Sequence, residues 1–551
     1  MGPVRRVVVV GGGTAGYFAA LALKRQFPDL DVTLVESSNI PIIGVGEATT
    51  TLMPPFLHQQ LGIDIVDLYR EVRPTWKLGI KFEWGLPGDY SFNFPFGASS
   101  LVEAYAHEGT IENQSVTAML MRADRAPIVT EDDGRPLSLL PDVKFAYHLD
   151  NKPFVAYLAK VARRAGIHHV DAVIQDATTA DGETIERLIL DEGRELRGDL
   201  YVDASGFHAL LIEKILGSPF TSFASSLFCD SAVVATVRQK GTIQPYTTAE
   251  TMDAGWCWRI PVEGEDHRGY VFSSAHVSPD AAQAEMRARN PGLGDAWSLR
   301  FRSGRHREFW KGNTVAIGNS YAFVEPLEST TLHMVIMEIA YLIAGLQKGD
   351  GDRAAYRAFA NDSLGAHWDD LRWLLAIHYK FNRKKETPFW RDCRETVDVS
   401  GIEPALERFS RLGPLLNADG EDFLLSDPTF VPGLTTLLLG QQVPCPRPTV
   451  TALPRAAWAA RVADSQALVD RALTQADALD LLRRCPELLE EFATSETSWV
   501  TSGGERITGV DPVRGLLHPQ PKERRKRGPY ARLLDAVVPP RGAAAGMRHG
   551  G

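Results

Sequence analysis

Cysteine is scarce in this chain. Its 551 residues hold five (Cys229, Cys257, Cys393, Cys445 and Cys485), an odd and scattered set without a C-x-x-C pair. That spacing argues against a structural zinc and for a reducing compartment, and no metal site is expected. Excess positive charge is missing as well: 69 acidic against 59 basic residues leave a formal net charge of −10. Such a balance disfavours nucleic acid as a partner, since phosphate neutralisation needs the opposite sign. Long apolar runs are also lacking. The most apolar helical stretch, Met334 to Leu346, is too short to cross a bilayer and carries Glu338. Residues 1–10 reach the first strand too soon for a signal peptide. The expectation is a cytoplasmic protein without membrane contact, 44% apolar and large enough for two or three lobes.

What is present begins at residues 7–16, VVVVGGGTAG, and continues to Glu36 at the end of VTLVE. An apolar strand runs directly into Gly11, Gly13 and Gly16. The first glycine permits a tight turn, the second a close approach to a pyrophosphate, and the third close helix-to-strand contact. The helix that follows presents free N–H groups to phosphate. Glu36 lies twenty residues after Gly16, where a carboxylate meets the 2′-OH of an adenosine ribose. The pattern reads as dinucleotide binding and does not choose between FAD and NAD.

The rest of the chain suggests an α/β protein. Its Rossmann-like lobe would be assembled from separated segments, with a substrate-side sheet region and a mainly helical C-terminal region. Residues 40–56 read as a loop against a cofactor, and a helix is expected from about Leu52. An amphipathic helix is expected within 147–165, short strands at 167–175, 184–190 and 196–203, and strands through 228–275. LYVDASG ends an apolar strand in an acid and a glycine, as when a later strand returns beside the first. TVAIGNS at 314–320 is a further buried strand leading to a helix at about 331–347. Beyond 350 the composition turns helical, and 425–446 is irregular. The boundaries read from this are 1–350 for the cofactor and reaction core, 351–515 for the helical region, and 516–551 for a flexible tail containing KERRKR.

Three segments carry candidate chemistry. In GWCWRIP at 255–261, Trp256 and Trp258 share one face of a strand, filling a core or walling a reaction chamber. In TWKLGIKF at 75–82, period two puts Lys77 and Lys81 on the side opposite Trp76, Leu78 and Ile80. They are either solvated lysines or, for one turned into a cavity, an amine of lowered pKa. In FVEPLESTT at 323–331, Glu325 and Glu328 precede a helix that Ser329 or Thr330 would cap, with N–H groups able to hold an anion.

In this order, those segments resemble the flavin-dependent halogenases of the tryptophan-halogenase type. GGGTAG, GVGEAT at 44–49, TWKLGIKF, VDASGF at 202–207, GWCWRIP, FRSGRHREFWKGNTVAIGNS at 301–320, FVEPLEST and TPFWR at 387–391 carry the resemblance, over about residues 5–490. It implies FAD held by Gly11, Gly13, Thr14, Ala15, Gly16, Glu36, Gly44, Val45, Gly46, Glu47, Ala48, Thr49 and Gly318. It further implies FADH2 delivered by a separate flavin reductase, and O2 forming a flavin C4a-hydroperoxide. Chloride or bromide, bound near Thr330 and Thr331, would then give hypohalous acid. Lys77 would capture or orient that species, as a haloamine or through a hydrogen bond. Glu328, followed by Ser329, would raise its electrophilicity or accept the ring proton. Trp256 and Trp258 would form the flavin-side barrier. The substrate is a small electron-rich arene, with Phe94, Pro95 and Phe96 as pocket wall, and the protein a monomer or homodimer.

Departures bear on the substrate. Thr331 stands where tryptophan-specific members have glycine, and Phe94 replaces a polar ring. The tyrosine-rich stretch that clamps the amino-acid moiety has no counterpart at 421–440, although Glu421 or Asp422 would be available there. Indole or an indole derivative is therefore expected over free tryptophan. The alternatives are an aromatic flavin monooxygenase, which needs an open approach to the flavin, and a non-catalytic FAD-binding protein.

Overall fold

A computed structural model describes residues 4–40, 46–97, 100–239, 241–348, 350–414, 433–448, 451 and 453–494. Gly44, Val45, Glu421, Asp422 and the 516–551 tail lie outside the described residues. Among the described residues, no helix is long and apolar enough to cross a membrane.

The cofactor-type lobe is built on a six-stranded sheet. Its order is His168–Asp171, Asp31–Glu36, Arg6–Val10, Leu200–Asp203, Thr314–Ala316 and Trp310–Lys311, with only the last strand antiparallel. The LYVD segment does return beside the first strand, pairing Val10 with Asp203. The unbroken valine run follows from burial on both faces. Val7 and Val9 join the main core with the helix Thr14–Gln26, whereas Val8 and Val10 pack on Ile185, Leu188 and Leu190 of a small three-stranded sheet. This is an α/β fold with its nucleotide lobe drawn from distant segments.

A second, seven-stranded sheet runs Trp297–Arg300, Ser231–Arg238, Glu265–Phe272, Gly255–Val262, Thr247–Met252, Gly79–Glu83, Phe92–Pro95. Trp256 and Trp258 point into the main core from its middle strand, while Cys257 between them faces a separate cluster. The helices Thr331–Gln347 and Asp350–Phe381 are joined where the Trp368 indole donates to the buried Glu338 carboxylate at 3.2 Å. The expected amphipathic helix is Asn151–Arg164, capped by the Asp150 carboxylate accepting from the Lys152 N–H. Within the irregular 425–446 region, Leu434–Gly440 forms a helix, and its Leu437, Leu438 and Leu439 are buried.

The 75–82 segment departs from simple alternation. The strand Thr75–Lys77 pairs with Ala146–Leu149, then the chain breaks at Leu78 and joins the seven-stranded sheet as Gly79–Glu83. Leu78 donates to Pro245 and accepts from Phe96 instead of continuing a ladder. A Cβ on Gly79 would lie 2.2 Å from the Phe94 carbonyl oxygen, so only glycine passes the switch. Lys77 and Lys81 thus belong to different sheets. Lys77 is fully buried, while Lys81 is half-buried beside the Tyr246 ring.

Candidate active site

The Gly-rich turn has the expected tightness for reasons visible in the backbone. Gly11 has φ +114°, and a Cβ there would meet the Ala204 carbonyl oxygen at 2.3 Å. A Cβ on Gly16 would meet the Gly11 carbonyl oxygen at 1.9 Å. Gly13 differs, because a Cβ there would meet no protein atom within 4 Å. The protein itself places no steric demand on that position, as suits a glycine kept for a ligand's approach. At Gly12, absent from the sequence-based set, a Cβ would displace the Glu36 carboxylate from its place beside the turn.

Around this turn, buried polar atoms stand without hydrogen-bond partners: Thr14 Oγ1 at the helix start, Asn319 Oδ1, and Thr330 Oγ1. Gly318, with φ +64°, packs within 3.3 Å of Ala15 if given a Cβ, which brings the 318 segment against the first helix. Asn319 also lines a cleft of about 740 Å³ with Phe207, Phe301 and Phe323. Two orphaned hydroxyls beside helix N-termini suit a pyrophosphate and an orphaned amide oxygen suits a ribityl hydroxyl, so these residues fit FAD. Glu36 sits at the expected strand end, where its Oε1 accepts from Tyr17 and His169 at 2.8 and 2.7 Å.

The loop side chains do other work. Thr49 Oγ1 exchanges hydrogen bonds with the Tyr147 backbone, and Glu47 accepts from Asn151 at 2.7 Å. Burial raises the Glu47 pKa to about 7. Gly46, at φ +76°, and Ala48 follow, and a Cβ on Gly46 would lie 2.6 Å from the His267 ring. Both 47 and 49 tie the loop to the scaffold.

Lys77, Glu328 and Ser329 come together although 252 residues separate the lysine and the serine. The Lys77 ammonium donates to Ser329 Oγ at 2.7 Å. Burial lowers the Lys77 pKa to about 7, opposed by the Glu328 charge nearby. Ser329 is held at φ +57°, a left-handed conformation uncommon for serine, at the end of the short 3₁₀ turn Pro326–Glu328. This turn places the Glu328 and Ser329 side chains beside Lys77. The Phe96 ring centre lies 5.4 Å from Lys77 Nζ. Phe94 is set further into the wall: it packs edge-on against Phe82, beside Gly433, and Pro95 is buried.

Neither Ser329 nor Thr330 caps the following helix with its side chain. Ser329 Oγ is taken by Lys77. Thr330 has helical φ and ψ of −88° and −8°, so the bend that a side-chain cap requires has already occurred one residue earlier. Thr331 opens the helix and is half-buried.

The Trp256 and Trp258 rings stand 6.0 Å apart and tilted, with Trp256 Nε1 donating to Glu325 Oε2 at 3.1 Å. Glu325 is fully buried and also accepts from Tyr379 OH at 2.6 Å. Burial raises its pKa to about 7. Sequence reasoning missed His378, whose Nε2 lies 2.8 Å from Glu328 Oε1. Its helical neighbourhood, LLAIHYKF, is a polar ring on an otherwise apolar stretch, and that was the available signal.

An α/β nucleotide lobe joined to a buried lysine–serine–glutamate cluster and a tryptophan wall defines a narrow class, and comparison with known proteins names it. The tryptophan halogenase family model matches residues 6–445. The 7-chloro-L-tryptophan 6-halogenase KtzR of a Kutzneria species is 33% identical over 435 residues, 73% of this chain and 84% of the relative. The solved structure of MibH, a lanthipeptide tryptophan 5-halogenase, is 46% identical with a TM-score of 0.84, covering 91% of this chain and 97% of that one. BrvH, a flavin-dependent halogenase from Brevundimonas sp. BAL3, is 31% identical with a TM-score of 0.76, over 87% and 99% of the two chains. This chain belongs to the tryptophan-halogenase family and is a flavin-dependent halogenase, an enzyme.

Proposed function

We propose that this enzyme halogenates an indole ring carried by a larger molecule, as a tryptophan side chain within a peptide, with FADH2 from a separate flavin reductase. The observation that carries the reading is the buried contact of Lys77 with Ser329, beside Glu328 and Phe96. Bound FAD, once reduced, supplies oxidised halogen from O2 and chloride or bromide. The N–H groups after Gly13 and the Thr14 hydroxyl hold its pyrophosphate, Glu36 its ribose, and the helix start at Thr330 and Thr331 the halide.

Lys77 orients the oxidised halogen. With a pKa of about 7, it is present at neutral pH both as an ammonium donor and as a nucleophilic amine. Glu328 stabilises the positive charge that develops as the ring is attacked and accepts the departing ring proton. Trp256 and Trp258, anchored through Glu325, keep the arene from the flavin side.

The substrate assignment rests on charge. Free tryptophan brings an ammonium and a carboxylate that are costly to bury unpaired, and 421–440 contains no tyrosine to clamp them. In a peptide both groups are amides. The 46% identity to a lanthipeptide tryptophan 5-halogenase supports the same choice. The test supplies FADH2 in air from an unrelated reductase and offers tryptophan-containing peptides, indole and L-tryptophan, with chloride and with bromide. Products are read by isotope-resolved mass. A peptide should exceed L-tryptophan in kcat/KM by about tenfold or more. Preference for L-tryptophan with a single regioisomer overturns the substrate assignment, and hydroxylated products overturn the chemistry.

A further inference from the structure

His378 has a proton arrangement that its neighbours dictate. It is fully buried on the helix Asp350–Phe381, and its Nδ1 lies 2.9 Å from the Leu374 carbonyl oxygen. A carbonyl only accepts, so Nδ1 carries a hydrogen. A neutral imidazole would then present a bare Nε2 to Glu328 Oε1 at 2.8 Å. Two acceptors do not rest at that separation unless a proton lies between them. The pair therefore holds one proton beyond a neutral histidine and an ionised glutamate: an imidazolium facing a carboxylate, or an imidazole facing a carboxylic acid.

The ring's position is fixed on several sides. Phe82 lies 5.2 Å and Trp84 6.3 Å away, centre to centre, and the Trp84 indole donates to the His378 carbonyl at 2.8 Å. The next residue, Tyr379, binds Glu325. Consecutive residues of one helix thus hold both carboxylates of the turn that ends in Ser329.

We propose that His378 is a positioning residue for Glu328, holding one oxygen of the carboxylate through a shared proton and leaving the other for the arene. The ring carbon takes halogen from hypohalous acid, whose halogen–oxygen bond breaks with the oxygen leaving as hydroxide; the ring C–H bond then breaks, its electron pair returns to the ring and the proton passes to Glu328. The His378 proton is not consumed, and the pair resets by releasing one proton to water. The inference rests on the proposed role of Glu328.

The test measures halogenated product at saturating FADH2, from about pH 5.5 to 9, for wild type, H378Q, H378F and E328Q. FAD affinity is followed in parallel. Gln keeps an N–H for Glu328 without positive charge; Phe keeps neither. The other titratable groups set against the pair are Lys77 from its strand, Glu325 from the same turn and Tyr379 on the helix. All three are unchanged in the His378 variants. H378F should lose about a hundredfold in kcat with little change in the arene KM. H378Q should recover part of that loss. Its pH–rate profile should differ in shape from that of wild type, because the proton shared between His378 and Glu328 is gone while the carboxylate keeps a donor. A purely structural role would lower the rate at every pH and leave the profile unmoved, which overturns the proposal, as does an H378Q profile equal to wild type. If H378F does not fold, the H378Q profile decides alone. E328Q turning over at the wild-type rate would instead refute the Glu328 role on which the inference stands.

Discussion

The cofactor cradle and the arene chamber are finished to different degrees by the protein alone. In the cradle, Thr14 Oγ1, Asn319 Oδ1 and Thr330 Oγ1 are buried without hydrogen-bond partners, and Gly13 faces no protein atom. In the chamber, Lys77 holds Ser329, His378 holds Glu328, and Tyr379 and Trp256 hold Glu325. The cradle leaves polar atoms for a ligand to satisfy, whereas in the chamber the reactive groups hold one another, with only Glu325 Oε1 and Trp258 Nε1 of the residues named there left unpaired. Preorganised groups of the second kind need no rearrangement when charge develops on a substrate. Damage to the cradle should therefore appear in affinity, and damage to the chamber in product.

The largest test of that contrast is Lys77→Met. It should abolish halogenated product while leaving FAD affinity within about twofold, and it should stabilise the fold. The Lys77 pKa in the folded state, about 7, lies below its ordinary 10.5. Protonation is thus disfavoured by folding, and the penalty is complete below pH 7. It shrinks by about 1.4 kcal/mol per unit as pH rises toward 10.5. Thermal melts of both proteins should show the variant more stable by about 2–4 kcal/mol at neutral pH, with the gap closing toward pH 10. A less stable variant at pH 7 would mean that the buried ammonium is compensated.

Next in size is the difference between the two glutamates. Glu328→Gln should cut product formation by about a hundredfold with the fold intact, because shape is retained and charge is lost. Glu325→Gln should cost less than tenfold, since an amide oxygen still accepts from Trp256 and Tyr379. Turnover at saturating FADH2 and arene reads both. Equal losses would erase the distinction between a reacting carboxylate and an anchoring one.

The smallest expected effect is on the cradle. Gly13→Ala should leave the melting temperature of the ligand-free protein within about a degree while weakening FAD binding about tenfold. Gly12→Ala should lower that temperature, because its Cβ collides with Glu36. Equilibrium titration with FAD and a melt without it separate the two. A melting loss in Gly13→Ala would show that the turn, and not the ligand, requires that glycine.

The cradle was legible because its residues are neighbours in sequence. A buried strand, a turn without room for Cβ atoms and a helix start leave a local pattern, from Val7 through Gly16 to Glu36. The chamber left only fragments. The resemblance placed Lys77, Glu328 and Ser329, but residue spacing alone pointed Lys77 and Lys81 the same way. The break at Leu78 comes from the Pro245 and Phe96 backbones, far along the chain or beyond the strand. The cap expected of Ser329 or Thr330 failed because Lys77, 252 residues earlier, claims the serine hydroxyl. His378 and Tyr379 gave no local sign of touching residues 328 and 325, since helix packing alone sets those pairings.

A halogenase that acts on indoles, as proposed, also carries indoles of its own, eleven of them in this chain. Trp256 is the most instructive, being an electron-rich ring built into the wall of the reaction core. Its nitrogen is engaged by Glu325, its ring leans on Trp258, and only 1% of its surface is exposed. Close packing leaves no carbon edge open to a diffusing electrophile, so the wall that separates flavin from arene is also chemically durable. Self-inflicted wear then falls on rings at the periphery, such as the 41%-exposed Trp297, where a halogen atom costs the catalyst nothing.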